Sequence, residues 1–392
     1  MKILQLHSQH RGGGGSEDAL RATVEGLRQR GTEVEVYTPN SDDLPHNRGR
    51  AMIQATLAAC SVRGFAEVLN CFRPDVVHIH DLFPLISPRI LPLCSRRGIP
   101  VVMTCVHYRL TCPVVTHFNE GQICTRCLGG RGYWVALNNC RHNLLESVAL
   151  GLYNGTMSRP GLFAKHVSRF IAPSEFTRQW FVEQGGVDPG QIVTISPSVS
   201  IPGSAADAAA GGYVAFAGRF APEKGIDTLL EAAQLCQLPF RLSRNERHLA
   251  NGEPPPGVDV VVTRGRENLD AFYRGARMLV FPSLWFETFG LVGAEAMAHG
   301  IPVVASRIGA LSGLVEDGVD GVLFEPGNSR DLAEKVKRLW DDPQLCRRMG
   351  QAARRKAISL WNPERYFERL HDVYEDVCGR QSSHAGQYPS AS

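Results

Sequence analysis

The chain has no apolar run of roughly 18 residues or more, the length that a membrane-crossing helix requires. Met1 to Leu6 is apolar but breaks at His7, and it lacks the combined n-region, h-region and cleavage pattern of a signal peptide. The expectation is therefore a cytoplasmic chain whose 11 Cys stay reduced. Neither sign of charge dominates: 42 Lys and Arg face 39 Asp and Glu, a formal net charge of +3, which argues against a nucleic-acid partner. With 43% hydrophobic and 21% charged residues, the composition also excludes a disordered, collagenous or coiled-coil chain. Beyond residue 198 there is no Asp-x-Asp to grip a divalent cation, and no repeat is visible beyond a doubling of one structural plan.

That plan is α/β. An apolar strand at 1–6 runs into Gly12-Gly13-Gly14-Gly15-Ser16, after which Leu20, Val24 and Leu27 fall at helical spacing until Gly31. A strand at 33–37 alternates as an edge strand does, a helical stretch spans about 51–72, and further strands follow at 75–79, 98–104 and 169–174. The small, polar stretch 197–212 reads as a linker. The plan then restarts, with strands at 213–217, 258–263, 278–282 and 301–304 and helices at 225–236, 267–276 and 291–299. Helical stretches at 331–340, 343–359 and 361–377 close the chain. Strands alternating with helices imply parallel sheets covered on both faces, so the expected fold is two tandem doubly wound, Rossmann-like α/β domains facing across a cleft. The length of 392 residues suits two domains at roughly 100–200 residues each.

Two segments of the second domain carry chemistry. In 216–232 a strand ends at Gly218, Arg219 follows, and Lys224 precedes Gly225 at a helix mouth, so two cations flank a strand-to-helix turn and suit a diphosphate. In 281–306, Glu287 lies in a loop, Gly290 opens a turn and a helix starts near Leu291, whose free N–H groups form an anion site. Glu295 sits one turn inside, where a carboxylate can bind both hydroxyls of a ribose.

In this order, the Arg219 and Lys224 pair with the Glu287 and Glu295 pair resembles the family 4 retaining glycosyltransferases of GT-B fold, over roughly residues 1–375. The resemblance implies that Arg219 and Lys224 bind the pyrophosphate and neutralise the departing nucleoside diphosphate. It implies that Glu287 faces the donor sugar, that Phe289, Gly290, Leu291 and Val292 present backbone N–H groups, and that Glu295 holds the ribose. It brings Gly13 and Gly14, in the loop that runs to Ser16, against the phosphates and His107 against the donor sugar. The implied reaction moves a hexose from a nucleotide-diphospho sugar to a lipid-linked saccharide in cell-surface polysaccharide synthesis, without a catalytic metal. A soluble small-molecule acceptor, or a sugar-nucleotide epimerase, is the alternative. Residues 1–197 would form the acceptor-side domain and 198–360 the nucleotide-sugar domain. A helix at 361–378 would cross back to the first, and 379–392 would be a frayed tail. Two departures are visible: 243–257 lacks the usual glycine turn and offers Arg244 or Asn245 instead, and 194–200 lacks the usual Asn-Gly-Val-Asp.

Within the first domain, Cys112, Cys124, Cys127 and Cys140 fall in a 112–140 insertion, and the Cys-x-x-Cys spacing favours structural Zn²⁺, with His117 as a substitute ligand. His78 and His80 share a strand face; either one of them touches the acceptor or, the commoner use, they form a buried structural pair. Charge is uneven: 20 basic and 15 acidic residues precede Ser198, against 22 and 24 from there on, and nine of the 13 His lie in the first part. The basic, apolar stretch 141–170 fits either a core-facing helix pair, the commoner use of such patterning, or peripheral contact with an anionic membrane at its inner face.

Overall fold

A computed structural model of the chain describes residues 1–8, 15–39, 62–157, 161–244, 255–263 and 265–385. Fourteen strands follow in chain order among them. They are β1 (Lys2–His7), β2 (Glu33–Tyr37), β3 (Val76–Asp81), β4 (Val101–Thr104), β5 (Phe118–Asn119), β6 (Gln122–Ile123) and β7 (Arg169–Ala172). Then come β8 (Ile192–Thr194), β9 (Tyr213–Ala217), β10 (Phe240–Arg244), β11 (Val258–Val262), β12 (Ala276–Phe281), β13 (Val303–Ser306) and β14 (Gly321–Phe324). Two compact units result. One holds residues 1–117, 124–195 and the chain from Phe367 onward; the other holds 118–123 and 196–366.

Each unit is built on a six-stranded sheet, ordered β2-β1-β3-β4-β7-β8 in the first and β11-β10-β9-β12-β13-β14 in the second. Every pairing within these sheets is parallel. Among the described residues only β5 and β6 pair antiparallel, in a small hairpin. Parallel strands covered on both faces need unbroken apolar runs, and β9, β13 and β14 are buried throughout. The edge strand β2 alternates instead, as its sequence suggested. Four elements were not expected as strands of the plan. β8 and β14 are only three and four residues long, and the β5–β6 hairpin has two residues a side, so hydrophobic periodicity has too little length to register. The fourth, β10, is the neighbour of β9 and completes the second sheet.

The helix Pro363–Ala385 extends beyond residue 378 and packs on the first unit from Phe367 onward. The Phe367 ring lies where a Cβ on Gly26 would stand, and the Arg30 guanidinium stacks 4.1 Å from its centroid. Asp376 pairs with Arg169. The deepest contact is a polar chain through the core. His80 Nε2 meets Gln5 Oε1 at 2.7 Å, Gln5 Nε2 donates to Tyr374 Oη at 3.3 Å, and Tyr374 Oη meets His78 Nδ1 at 2.7 Å. His78 Nε2 completes it at 2.8 Å from Thr104 Oγ1. Every donor finds an acceptor when both imidazoles are neutral: Tyr374 accepts from Gln5 and donates to His78 Nδ1. Burial enforces that state, holding His80 down to about 3 and His78 well below its ordinary value, with repulsion from the other histidines adding to it.

A histidine whose folded pKa is depressed contributes no pH dependence above its unfolded value. Below that value it destabilises the fold, because the unfolded chain takes up the proton first. For His80 the window runs from about pH 6.5 down to about 3. Opening free energies from hydrogen exchange at Val76–Asp81 should fall by about 2 kcal/mol or more between pH 7 and pH 5. A His78→Asn/His80→Gln variant should lose most of that fall, and an undiminished fall in the variant would refute the assignment.

Candidate active site

Strand order in the second unit reverses between β9 and β12, and ligands of open parallel sheets bind beyond the carboxyl ends of strands at such a point. Both chemistry-bearing segments leave the sheet there. After β9 the chain turns through Pro222–Lys224 into the helix Ile226–Cys236. After β12 it passes Ser283, Trp285 and Glu287 before the helix Leu291–His299.

The two segments are stitched together. Leu284 N–H donates to the Glu223 carbonyl at 2.9 Å. Gly225 sits at φ 69°, and a Cβ there would collide with the Pro282 carbonyl, so only glycine fits. On the other side, Ala310 N–H reaches the Glu287 carbonyl at 3.3 Å. Three donors then converge on one oxygen of the buried Glu287 carboxylate. Lys224 Nζ lies 2.6 Å from Oε1, Ser283 Oγ 2.7 Å and Trp285 Nε1 2.8 Å. Lys224 also stands 5.0 Å from the Trp285 ring centroid, an ion held over an aromatic face. A buried carboxylate is costly unless it is paired and hydrogen-bonded, and here it is both.

Of the other expected residues, Arg219 is exposed and pairs with Glu223 at 3.2 Å rather than with Glu287. Phe289 is buried and meets Trp361 edge-on, at 5.6 Å between centroids. Gly290 caps the Leu291–His299 helix at φ 101°, where a side chain would meet Leu311 at 2.8 Å. The N–H groups of Leu291 and Val292 precede the first helical bond, Ala294 to Gly290, and carry the positive end of the dipole. Glu295 accepts from Tyr273 Oη at 3.0 Å, and the burial of Tyr273, with the Glu295 charge added, pushes that phenol well above its ordinary range. His299 bridges the Glu295 carbonyl at 2.7 Å and Asp270 Oδ1 at 2.8 Å, fixing the far end of the helix.

In the first unit, His107 follows β4 and its Nε2 lies 3.1 Å from Asp81 Oδ2, at the carboxyl end of β3. The second Asp81 oxygen accepts from Phe83 N–H at 2.9 Å. Arg109 stacks on Phe83 at 3.9 Å and donates to the Pro113 carbonyl. Asp81 was not singled out from the sequence, although it ends the same strand as the two histidines. Ser283 and Trp285 were likewise overlooked inside the Glu287 loop. Gly13, Gly14 and Asn245 lie outside the described residues.

The four insertion cysteines are all reduced. The Cys112 sulfur receives N–H groups from Val114, Thr116 and His117. The thiols sense one another: burial, reinforced by Cys112, Cys124 and Cys140, pushes Cys127 up to about 12. Burial, with Cys112 and Cys124, pushes Cys140 up to about 11. Among the described residues, no three His, Cys, Asp or Glu side chains stand in metal-holding geometry. His117 is committed elsewhere, to Thr111 Oγ1 at 2.8 Å and the Cys124 carbonyl at 2.9 Å.

Two parallel-sheet units, the second with a charged constellation at its switch point, define a tandem Rossmann-like protein. The chain belongs to the family 4 glycosyltransferases: the family described as Glycosyl transferases group 1 matches residues 208–356, and Glycosyltransferase Family 4 matches 13–201. The fold is GT-B. Sucrose-phosphate synthase from Thermosynechococcus elongatus superposes with a TM-score of 0.72 at 19% identity, covering 97% of this chain and 99% of that one. Anabaena HepE, solved with UDP and glucose, gives 0.64 at 20% identity, covering 96% and 100%. A D-inositol 3-phosphate glycosyltransferase of Nocardiopsis dassonvillei is 32% identical over 243 residues, 54% of this chain and 56% of the relative. An uncharacterized glycosyltransferase of Methanocaldococcus jannaschii is 31% identical over 168 residues, 41% and 47%. The chain thus spans about half the length of the curated relatives it matches.

Gly225→Ala should destabilise the second unit by about 3 kcal/mol or more, because strain at positive φ adds to a backbone collision. Gly313→Ala, with nothing within 4 Å of the added methyl, should be neutral or mildly stabilising. Urea unfolding of both variants checks this, and equal midpoints would remove the glycine's claimed role.

Proposed function

We propose that this protein is a retaining glycosyltransferase that moves a hexose from a nucleotide-diphospho sugar to a lipid-linked saccharide at the inner face of a membrane. The observation that carries the reading is Lys224 held at 2.6 Å on Glu287 at the switch point of the second unit. The ammonium has three N–H donors, and the bond to Glu287 orients it while leaving two for phosphate oxygens. Arg219, on the same turn, supplies a planar second cation. The N–H groups of Leu291 and Val292 add a dipole aimed at the same charge. Glu287 faces the sugar hydroxyls, and Glu295, oriented by Tyr273, takes the ribose.

The chemistry then needs no side-chain nucleophile. The bond from the anomeric carbon to the phosphate oxygen breaks, and negative charge grows on the diphosphate. Fixed cations stabilise it without reorganising, which is where catalysis of this kind gains most. The departing phosphate oxygen accepts the proton of the acceptor hydroxyl, and the new bond forms on the face just vacated. Arg219 and Lys224 carry the neutralising role that a divalent cation has in other transferases. In the first unit, His107 is held by Asp81.

Relatives named for D-inositol 3-phosphate support a second reading, transfer to a soluble acceptor. An epimerase would convert the donor with no acceptor present, so incubation with donor alone separates that case. For the insertion, we propose one structural Zn²⁺ drawn in by the four thiols. Burial pushes the Cys112 thiol up, the backbone N–H groups beside it oppose that, and a bound cation would tip the balance to the thiolate.

Thermal shifts with UDP, GDP, dTDP and ADP should single out one base, with stabilisation of about 2.7 kcal/mol at a hundredfold excess over Kd. Arg219→Ala/Lys224→Ala should abolish that shift and turnover, and Lys224→Arg, which keeps a cation on Glu287, should retain the fold and part of the shift. Near-normal transfer by the double variant would end the proposal. Metal analysis of purified protein should return one zinc per chain, lost in Cys124→Ser/Cys127→Ser; disulfides in its place would exclude the ion.

A further inference from the structure

Among the described residues, twelve large apolar side chains stand exposed, and six of them fall within residues 133–152. Four belong to the helix Leu144–Met157: Leu144, Leu145, Val148 and Leu152, exposed by 62%, 74%, 40% and 65%. At about 100° per residue these four share one arc of about 100°, and Glu146, Ser147, Leu150 and Tyr153 occupy the opposite side. Those four opposite residues are the buried ones. The short helix Trp134–Leu137 packs against this helix, close to Gly151, where a Cβ would lie 3.3 Å from Val135. It adds exposed Tyr133 and Leu137.

Along the flanking sequence one sign of charge predominates. Residues 121–174 hold six basic side chains and a single acidic one, Glu146. That carboxylate is turned inward and paired with Arg141, at 2.9 Å to Nε and 2.8 Å to a terminal guanidinium nitrogen. Arg126, Arg131 and Lys165 stay exposed. No exposed carboxylate therefore opposes an anionic surface anywhere in this span.

We infer that the exposed face of the Leu144–Met157 helix docks in the plane of an anionic bilayer, its leucines entering the headgroup boundary and the neighbouring Arg and Lys meeting lipid phosphates. An amphipathic helix with a cationic rim binds in this way, with apolar burial and electrostatic attraction acting together. A protein partner would need matching carboxylates and an apolar groove, and a second copy of the same face would bring like charges together. The inference rests on the lipid-linked acceptor for its purpose, but the surface is independent of the donor site.

The test is co-sedimentation of the full chain with phosphatidylcholine vesicles, with and without phosphatidylglycerol. The chain should sediment with phosphatidylglycerol vesicles and less so as salt is raised. Leu145→Glu/Leu152→Glu should weaken partitioning by about tenfold or more, since it replaces apolar burial with charge repelled by the lipid. Both side chains are exposed, so the variant should fold and keep its nucleotide thermal shift. Absence of sedimentation in the parent chain, or equal sedimentation in the variant, overturns the inference. Light scattering that shows a dimer lost in the variant overturns it too, by making the face a self-interface. Vesicle binding without any nucleotide shift would instead refute the donor-site reading and leave this surface standing.

Discussion

One carboxylate organises the second unit. Glu287 is buried, and three donors from separate positions meet on a single oxygen: an ammonium, a hydroxyl and an indole N–H. Removing a charge from water costs several kcal/mol even after relaxation, so the arrangement persists only if all the partners arrive together. The surrounding backbone is shaped for that arrival. Gly225 lets the Lys224 turn lie against Pro282, and Gly309, at φ 55°, lets the 309–310 segment close on Phe286 and Glu287. The positions of Lys224, Ser283 and Trp285 are therefore tied to satisfying Glu287.

The two units solve the problem of polar groups at a switch point differently. The second keeps ions there, paired and partly buried. The first keeps its core polar chain neutral: His78 and His80 are uncharged, and each proton in the chain through Gln5 and Tyr374 has one place to go. Charge in the first unit appears one step outward, where Asp81 ends β3 and faces His107. The same strand thus supplies a neutral scaffold residue and a charged rim residue two positions and one position apart from His80. A strand buried on both faces can afford the second only at its end.

Much of this was legible in the chain. Long apolar strands, glycine stops and the doubled α/β plan gave the architecture, because buried parallel strands and amphipathic helices leave strong periodic signals. Lys224 and Glu287 were each legible as site residues from motif order, but the bond between them was not. What escaped were short elements, such as β8 and β14, whose pairing is imposed by neighbours rather than by their own pattern. Partner residues escaped for a related reason. Ser283, Trp285 and Asp81 have no distinctive spacing, and their importance comes from the loop fold that brings Ser283 and Trp285 onto Glu287 or from a strand end. Arg219 was expected beside the diphosphate turn, and its bond to Glu223 reflects a local i to i+4 geometry that only the folded turn creates.

The stretch 141–170 shows why patterning alone leaves a helix undecided. Its apolar residues were more simply explained by a core, since most amphipathic helices bury their leucines. The Leu144–Met157 helix reverses that use. Its one carboxylate, Glu146, is buried against Arg141, and four of its apolar residues face outward. Two choices that each cost stability in water, a buried charge and an exposed leucine row, occur on opposite sides of one helix. The buried carboxylate removes negative charge from the surface without removing it from the fold, and it locks the helix in the rotation that turns the leucines out. Exposure of that row is therefore a constraint built into the packing of the helix rather than loose decoration of its surface.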